Sequence, residues 1–129
     1  MTSEVISPPA VFEKSGATVA NIPFALSFQP GVSDSSTAQS FIDAYQADYG
    51  KLPDVYAAQG YTAIQLIAQG MKSLDGKPTR KALAEAIWGI TDIEHNVYGG
   101  QEMANGQART PATLIVNWTP EGKVQSWEK

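Results

Sequence analysis

Few residues in this chain are of types that make or break covalent bonds. The 129 residues include no cysteine and a single histidine, His95. Thiolate catalysis, disulfides and zinc–thiolate sites are therefore excluded, and a serine–histidine–aspartate hydrolase would have to use His95. This histidine lies beside Asp92 and Glu94, which could tune its pKa or hold a metal, but the polar pattern favours a solvated loop residue. The 13 carboxylates show no pairing typical of acid–base catalysis, so we predict a non-enzyme with no metal and no cofactor.

Charge and composition narrow the range of partners. The formal net charge is -4 at pH 7, and lysines and arginines are scattered along the chain. Nucleic acid is not expected as a partner, because phosphate contacts need a basic patch. No apolar run approaches the ~18 residues of a membrane span. Residues 1–4 lack the basic start and apolar core of a signal peptide, so no signal peptide is expected in this chain.

The longest periodic segment, residues 53–74, is the element expected to position a site. Its apolar residues fall in two rows, which at ~100° per residue merge into one face roughly 160° wide. Pro53 suits the first helical turn, and Asp54 suits the positive end of the helix dipole. The first row is Ala57, Tyr61, Ile64, Ala68 and Met71, and the second is Tyr56, Ala63, Ile67 and Leu74. A helix with so wide a face needs a flat apolar partner.

Shorter segments surround this helix. Gly50 is expected to end the helix that precedes it, and Thr79 to cap the helix that follows it. We predict a helical turn at 9–14, a strand at 17–24, helices at 33–50 and 80–88, and strands at 93–98, 112–118 and 123–127. The predicted fold class is α/β with the order β-α-α-α-β-β-β. Because only one strand precedes the helices, the sheet that the central helix needs is expected to lie outside this chain.

Residues 41–71, FIDAYQADYGKLPDVYAAQGYTAIQLIAQGM, carry a resemblance to a known family. They resemble the C-terminal part of type I periplasmic binding proteins, and among these the branched-chain amino acid (leucine/isoleucine/valine) binding proteins of ABC importers. The matching positions are Phe41, Tyr45, Tyr49, Gly50, Pro53 and Asp54, followed by Ala57, Ala58, Gly60, Tyr61 and Ala63. Thr62 departs from the family's usual aspartate. The resemblance runs from about residue 7 to the end.

The resemblance implies two α/β lobes around a cleft, with this chain as the C-terminal portion of a longer protein. Residues 1–129 would form a single domain within that partial type I fold. Residues 1–33 would be the end of the second lobe and a hinge, residues 34–118 would belong to the first lobe, and residues 119–129 would be a return strand. The groups that hold a ligand's α-carboxylate and α-amino group are expected mostly in the missing portion, and none is assigned here.

The resemblance also implies ligand-binding residues in the first turns of the central helix, which would point into the cleft. Tyr56, Ala58 and Gln59 are predicted to line one wall of the pocket, where a side chain as small as Ala58 would leave room for a larger solute. The alternative is structural. Tyr56 would then belong to the core, and Gln59 would be a solvated helix residue.

The function that follows from the resemblance is non-catalytic binding of an amino acid for an ABC importer. Closure of the two lobes would trap the solute, and the importer's membrane subunits would be the partners of a periplasmic or otherwise extracytoplasmic parent. One alternative is a ligand-sensing domain of a receptor or regulator with the same fold. Another is that the isolated chain binds no solute and forms a homo-oligomer through its apolar helix face.

Overall fold

Helices and short strands make up the computed structural model, which describes residues 2–33, 35–104, 106–109 and 113–127. The helices in these ranges are α1 (Pro9–Ser15), α2 (Ser36–Tyr49), α3 (Val55–Lys72) and α4 (Arg80–Trp88). The strands are β1 (Phe24–Leu26), β2 (Glu102–Ala104), β3 (Gln107–Arg109), β4 (Leu114–Trp118) and β5 (Val124–Ser126). Single 3-10 turns occupy Glu4–Ile6 and Gly16–Val19. The α/β class is confirmed, although α1 precedes the first strand and β2–β3 is an additional hairpin.

Helix ends follow the capping chemistry of the sequence. The caps are Ser35 of α2, Asp54 of α3 and Thr79 of α4, whose side-chain oxygens accept hydrogen bonds from the backbone N–H groups of Ala38, Ala57 and Ala82. Gly50 ends α2 with φ of 67°, a left-handed conformation that favours glycine. The prediction that Pro53 lies in the first turn of α3 is wrong. Asp54 binds an otherwise unpaired N–H as the N-cap, so Pro53 lies before the helix.

A three-stranded antiparallel sheet with the order β1-β4-β5 holds the core together. Phe24 is paired with Val116, and both side chains are fully buried. The predicted strand at 17–24 is largely wrong. Gly16–Val19 forms a 3-10 turn, and the ladder begins only after Pro23, which has no N–H to donate. The weak strand predicted at 93–98 is also absent, because these residues form an irregular loop.

Helix α3 has one flank that is buried in the core and one flank that is exposed. Val55, Ala58, Thr62 and Gly70 are buried on the inner flank. The outer flank exposes Tyr56, Ile64, Ile67 and Met71, which all belong to the predicted apolar rows. The wide apolar face therefore exists, but part of it has no cover in the described chain. None of the described helices is long and apolar enough to cross a membrane.

The N-terminal segment is bound to the sheet through Trp118. The indole Nε1–H donates to the carbonyl oxygen of Ile6 at 2.7 Å. The ring also packs on Phe12, with 5.2 Å between the ring centroids. Because Trp118 is only 4% exposed, this contact joins the beginning of the chain to the central strand of the core.

Candidate functional site

A carboxylate near the N-terminus meets the beginning of α3 in what we call the Glu4 cluster, which consists of Glu4, Ser27, Gln59, Thr62 and Tyr98. The Gln59 side-chain amide donates to Glu4 Oε1 at 3.1 Å. The Ser27 hydroxyl donates to Glu4 Oε2 at 3.4 Å. One carboxylate is therefore held from two sides by neutral donors, with no described cation paired to it.

Local pairing next to β1 explains the position of Glu4. The Thr2 N–H donates to the carbonyl of Pro23 at 3.0 Å, and the Thr2 carbonyl accepts from Ala25 N–H at 3.2 Å. This short parallel contact lays the N-terminal residues along β1. Ser27 directly follows the end of β1, so the 3-10 turn that begins at Glu4 lies against it.

The loop that carries Tyr98 is fixed by side-chain amides. Asn96 Oδ1 accepts from the backbone N–H groups of Tyr98 and Gly100 at 2.9 and 3.2 Å. Gln69 of α3 connects this loop to the helix, since its amide donates to the carbonyl of Asp92 at 3.0 Å. The phenol is thereby held in a half-buried position near α3.

The phenol of Tyr98 has a shifted pKa. Burial raises the pKa of Tyr98 above 10.0, and the negative charge of Glu4 also raises it. The Thr62 hydroxyl acts in the opposite direction and lowers the pKa of Tyr98. Thr62 is 5% exposed, and its Oγ1 completes no hydrogen bond of ordinary geometry among the described residues. The Tyr98 phenol therefore lies beside the Thr62 hydroxyl and within electrostatic range of the Glu4 carboxylate.

The three residues predicted to line a pocket take up different positions. Gln59 is exposed and belongs to the Glu4 cluster through its hydrogen bond. Tyr56 is 47% exposed and lies one turn before Gln59 on the same side of α3. Ala58 is 0% exposed and packs in the core, on the inner flank of the helix. A direct role in solute binding stays a prediction for all three residues.

Glu4, Ser27 and Tyr98 were not identified from the sequence as site residues. No local motif marks Glu4, and 55 positions separate it from Gln59. His95 is exposed in its loop with φ of 53°, and the described residues contain no group of three or more potential metal ligands. A carboxylate, an amide and hydroxyl groups can together bind a small polar molecule that carries a cationic group.

A small cavity adjoins this cluster. It has a volume of about 90 Å³, and its wall includes Ser27 and Tyr98 of the cluster. Val32, Val97 and Leu114 supply apolar surface to the same cavity. The recess is smaller than the roughly 300–1,000 Å³ of a typical small-molecule pocket, so it could take only part of a ligand.

The fold recurs in solved structures. A leucine binding protein, LivK, from Thermotoga maritima superposes with a TM-score of 0.81 at 23% identity, over 98% of this chain and 35% of that chain. LivJ from Streptococcus pneumoniae, solved in complex with isoleucine, gives 0.78 at 24% identity, over 92% and 33%. A substrate-binding protein from Desulfitobacterium hafniense in complex with Leu gives 0.72 at 26% identity, over 85% and 32%.

The sequence comparison agrees with the structural one. The chain spans about a third of the length of these solved proteins. No match was found among curated proteins. A model of the family described as periplasmic binding protein matches residues 6–123, which is most of the chain. The chain therefore belongs to the periplasmic binding protein family.

Proposed function

We propose that this chain is part of a solute-binding protein for ABC-type import and that its solute is an amino acid of the branched-chain type. The Glu4 cluster is the observation that carries the proposal. An α-ammonium group has N–H donors on a positive centre, and it would replace the neutral donors Gln59 and Ser27 on the Glu4 carboxylate. Such a charge-assisted hydrogen bond is about twice as strong as a neutral one.

The surroundings of the cluster support a solute with an apolar side chain. The exposed ring of Tyr56 offers apolar surface one turn before Gln59. The recess beside Ser27 and Tyr98 offers a second apolar surface through the half-buried Val32 and Leu114. The solved proteins similar to this chain include a leucine binding protein and complexes with isoleucine and Leu. A branched aliphatic amino acid matches both kinds of observation.

The proposed mechanism is capture between two lobes of a longer protein. Because the chain spans about a third of its solved relatives, the rest of such a protein would supply the opposite wall and the groups for the α-carboxylate. Bound solute would then stabilise the closed arrangement of the lobes, because it would bind this arrangement more tightly than the open one. The importer's membrane subunits would be the partners in an extracytoplasmic compartment. No step of this mechanism is catalytic.

Calorimetric titration with leucine, isoleucine and valine tests the proposal on the chain itself. We expect binding of at least one of these amino acids. We also expect Glu4→Gln to weaken binding by about 10- to 100-fold, which corresponds to the loss of one hydrogen bond to a charged group. Glu121→Gln removes the same charge from an exposed turn and should leave the affinity unchanged. Equal affinities for the two variants would contradict the role of Glu4.

A second function is favoured by one observation, the exposed apolar flank of α3. Ile64 is 64% exposed and Met71 is 48% exposed, and both lie on the same side of the helix. An uncovered apolar helix face promotes association. In this second candidate function, the isolated chain would be a self-associating fragment that binds no solute.

A further inference from the structure

Four aromatic residues line a groove between α2 and α3, which we call the tyrosine groove. Phe41, Tyr45 and Tyr49 follow one another at a spacing of four on α2, so they lie on one side of that helix. Tyr61 of α3 completes the set. The groove has a volume of about 360 Å³, within the range of roughly 300–1,000 Å³ typical of small-molecule pockets. It shares no residue with the Glu4 cluster.

The four rings differ in how open they are to a ligand. Phe41 is 7% exposed and forms the floor, where its ring contacts those of Tyr61 and Tyr45 with 4.7 and 5.9 Å between centroids. Tyr45 and Tyr61 are half-buried, so part of each ring is accessible. Tyr49 is 65% exposed and packs on Tyr45 at 4.5 Å. The groove therefore has a buried aromatic floor and accessible aromatic walls.

The charge of the groove is negative. Asp48 is exposed and lines it, whereas Ser40 and Ala44, the other lining residues, are neutral. No lysine or arginine lines the groove, and Lys51, the nearest lysine in the sequence, lines a different cleft. The Asp48 carboxylate forms no ion pair with a described residue. An anion is therefore repelled from the groove and a cation is attracted to it.

The end of α2 adds to this preference for a cation. The helix ends at Tyr49, where the helix dipole places partial negative charge. The last turn of α2 contains no basic residue, and Asp48 adds a full negative charge to it. A cation bound beside Asp48 and Tyr49 would offset both.

Accessible aromatic faces beside negative charge are suited to an alkylated ammonium ion. The positive centre of such an ion is attracted by the ring quadrupole, and its methyl groups contact the ring faces. It has no N–H group to donate, so a groove with a single carboxylate leaves none of its atoms without a hydrogen-bond partner. We propose that the tyrosine groove is a second small-molecule site, which takes a small organic cation bearing a trimethylammonium group.

Titration with choline and with 3,3-dimethylbutan-1-ol tests this site, because the two molecules share a shape and differ in charge. Affinities are measured from the ¹³C signals of ring-labelled tyrosine, with sodium chloride keeping the ionic strength constant. We expect choline to shift the signals of Tyr49 and Tyr61 and to leave that of Tyr98 in the Glu4 cluster unchanged. We expect choline to bind about 10-fold more tightly than the alcohol, since an exposed ring contributes about 2- to 5-fold and a surface carboxylate a similar factor.

Substitutions at exposed positions separate the contributions of charge and ring. Asp48→Asn keeps the shape of the side chain and removes its charge, so it should weaken choline binding about 2- to 5-fold. Tyr49→Leu removes an aromatic face and should weaken it by a similar factor, whereas Tyr49→Phe keeps the face and should bind choline like the wild type. Asp75→Asn makes the same change as Asp48→Asn at an exposed position outside the groove and should have no effect.

Several results would overturn the proposal. Equal affinities of the wild type for choline and the alcohol would show that the groove does not select a cation. A shift of Tyr98 without a shift of Tyr49 would show that choline binds at the Glu4 cluster instead. Phosphatidylcholine vesicles distinguish a free cation from a lipid headgroup. We expect them not to retain the chain, and retention without a response to choline would contradict a small-molecule site.

The site is independent of the proposed amino acid function. Glu4→Gln should leave the affinity for choline unchanged, and Asp48→Asn should leave the affinity for leucine unchanged. Failure of leucine to bind would therefore contradict only the role of the Glu4 cluster, whereas failure of choline to bind would contradict only the role of the tyrosine groove.

Discussion

At the scale of single residues, Tyr98 couples the stability of the fold to pH. Its folded-state pKa is raised above 10.0 mainly by burial. The folded state therefore retains the phenol proton over a pH range in which the unfolded chain has lost it. The resulting stability is complete below pH 10 and is lost as the pH rises through the folded-state pKa.

The Tyr98→Phe variant lacks the phenol and should therefore lack its contribution to the pH dependence of stability. We expect the free energy of unfolding of the wild type, measured with urea at pH 7 and at increasing pH above 10, to fall more steeply than that of Tyr98→Phe. Tyr49→Phe is the matched control, since Tyr49 is 65% exposed. It should follow the wild type. Parallel curves for wild type and Tyr98→Phe would show that the Tyr98 phenol is not responsible for the slope.

Residue-level signals allowed only part of the site to be predicted. The resemblance predicts that Gln59 lines a pocket. Gln59 contacts the Glu4 carboxylate, and its role in solute binding stays a prediction. Glu4 itself could not be predicted, because its contact depends on the pairing of Thr2 with β1. Such a contact arises from tertiary structure and leaves no periodic or capping pattern in the sequence.

At the scale of elements, the two glycines of α3 differ in what surrounds them. A Cβ added at Gly70 would lie 2.8 Å from Ile87 Cγ1 and 3.2 Å from Leu83 Cδ1, so α3 and α4 approach closely there. Gly60 has nothing within 4 Å of the corresponding position. Substitution at Gly60 therefore reports on helix propensity alone, whereas substitution at Gly70 also reports on the packing of α3 against α4.

Replacement of each glycine by alanine should change stability in opposite directions. Gly60→Ala should stabilise the chain by about 0.5–1 kcal/mol, because alanine is the better helix former. Gly70→Ala should destabilise it, since overpacking typically costs about 1–3 kcal/mol and exceeds the propensity gain. Urea unfolding of both variants measures the two effects. Equal stabilisation by the two substitutions would contradict the close packing of α3 on α4.

The outer flank of α3 should control the oligomeric state of the isolated chain. Its exposed apolar side chains favour association with a second copy. We expect the Ile64→Lys/Ile67→Lys variant to have a lower mass by light scattering than the wild type. Gln46→Lys/Ala47→Lys adds the same charge to an exposed part of α2 and should keep the wild-type mass. A monomeric wild type would show that this flank does not drive self-association.

Elements with strong local signals were predicted more accurately than those that depend on distant partners. Thr79 caps α4 and Gly50 ends α2 as expected, since both effects operate within a few residues. The apolar rows of α3 were recognised, but periodicity cannot show which flank is covered by the described chain. The strand at 17–24 was misplaced because β1 exists through its pairing with β4, which lies about ninety positions later.

At the scale of the whole molecule, Trp118 joins the N-terminal segment to the sheet. Trp118→Phe would leave the Ile6 carbonyl without its 2.7 Å hydrogen bond, which should cost about 1–3 kcal/mol in addition to lost packing. Trp88 is 68% exposed, so Trp88→Phe should change stability by no more than about 0.5 kcal/mol. Thermal unfolding of both variants measures the difference. Equal stability would show that the Trp118 contact does not hold the segment in place.

The measurement that most directly tests the proposed function compares leucine with 4-methylpentanoate, the same molecule without its amino group. Affinities are measured by calorimetry for the wild type and for Glu4→Gln. If Glu4 binds the α-ammonium group, the wild type should prefer leucine by about 10- to 100-fold, and Glu4→Gln should lose most of that preference. Equal affinities of the wild type for the two compounds, or a preference unchanged in Glu4→Gln, would contradict the assignment of Glu4 as the group that recognises an amino acid.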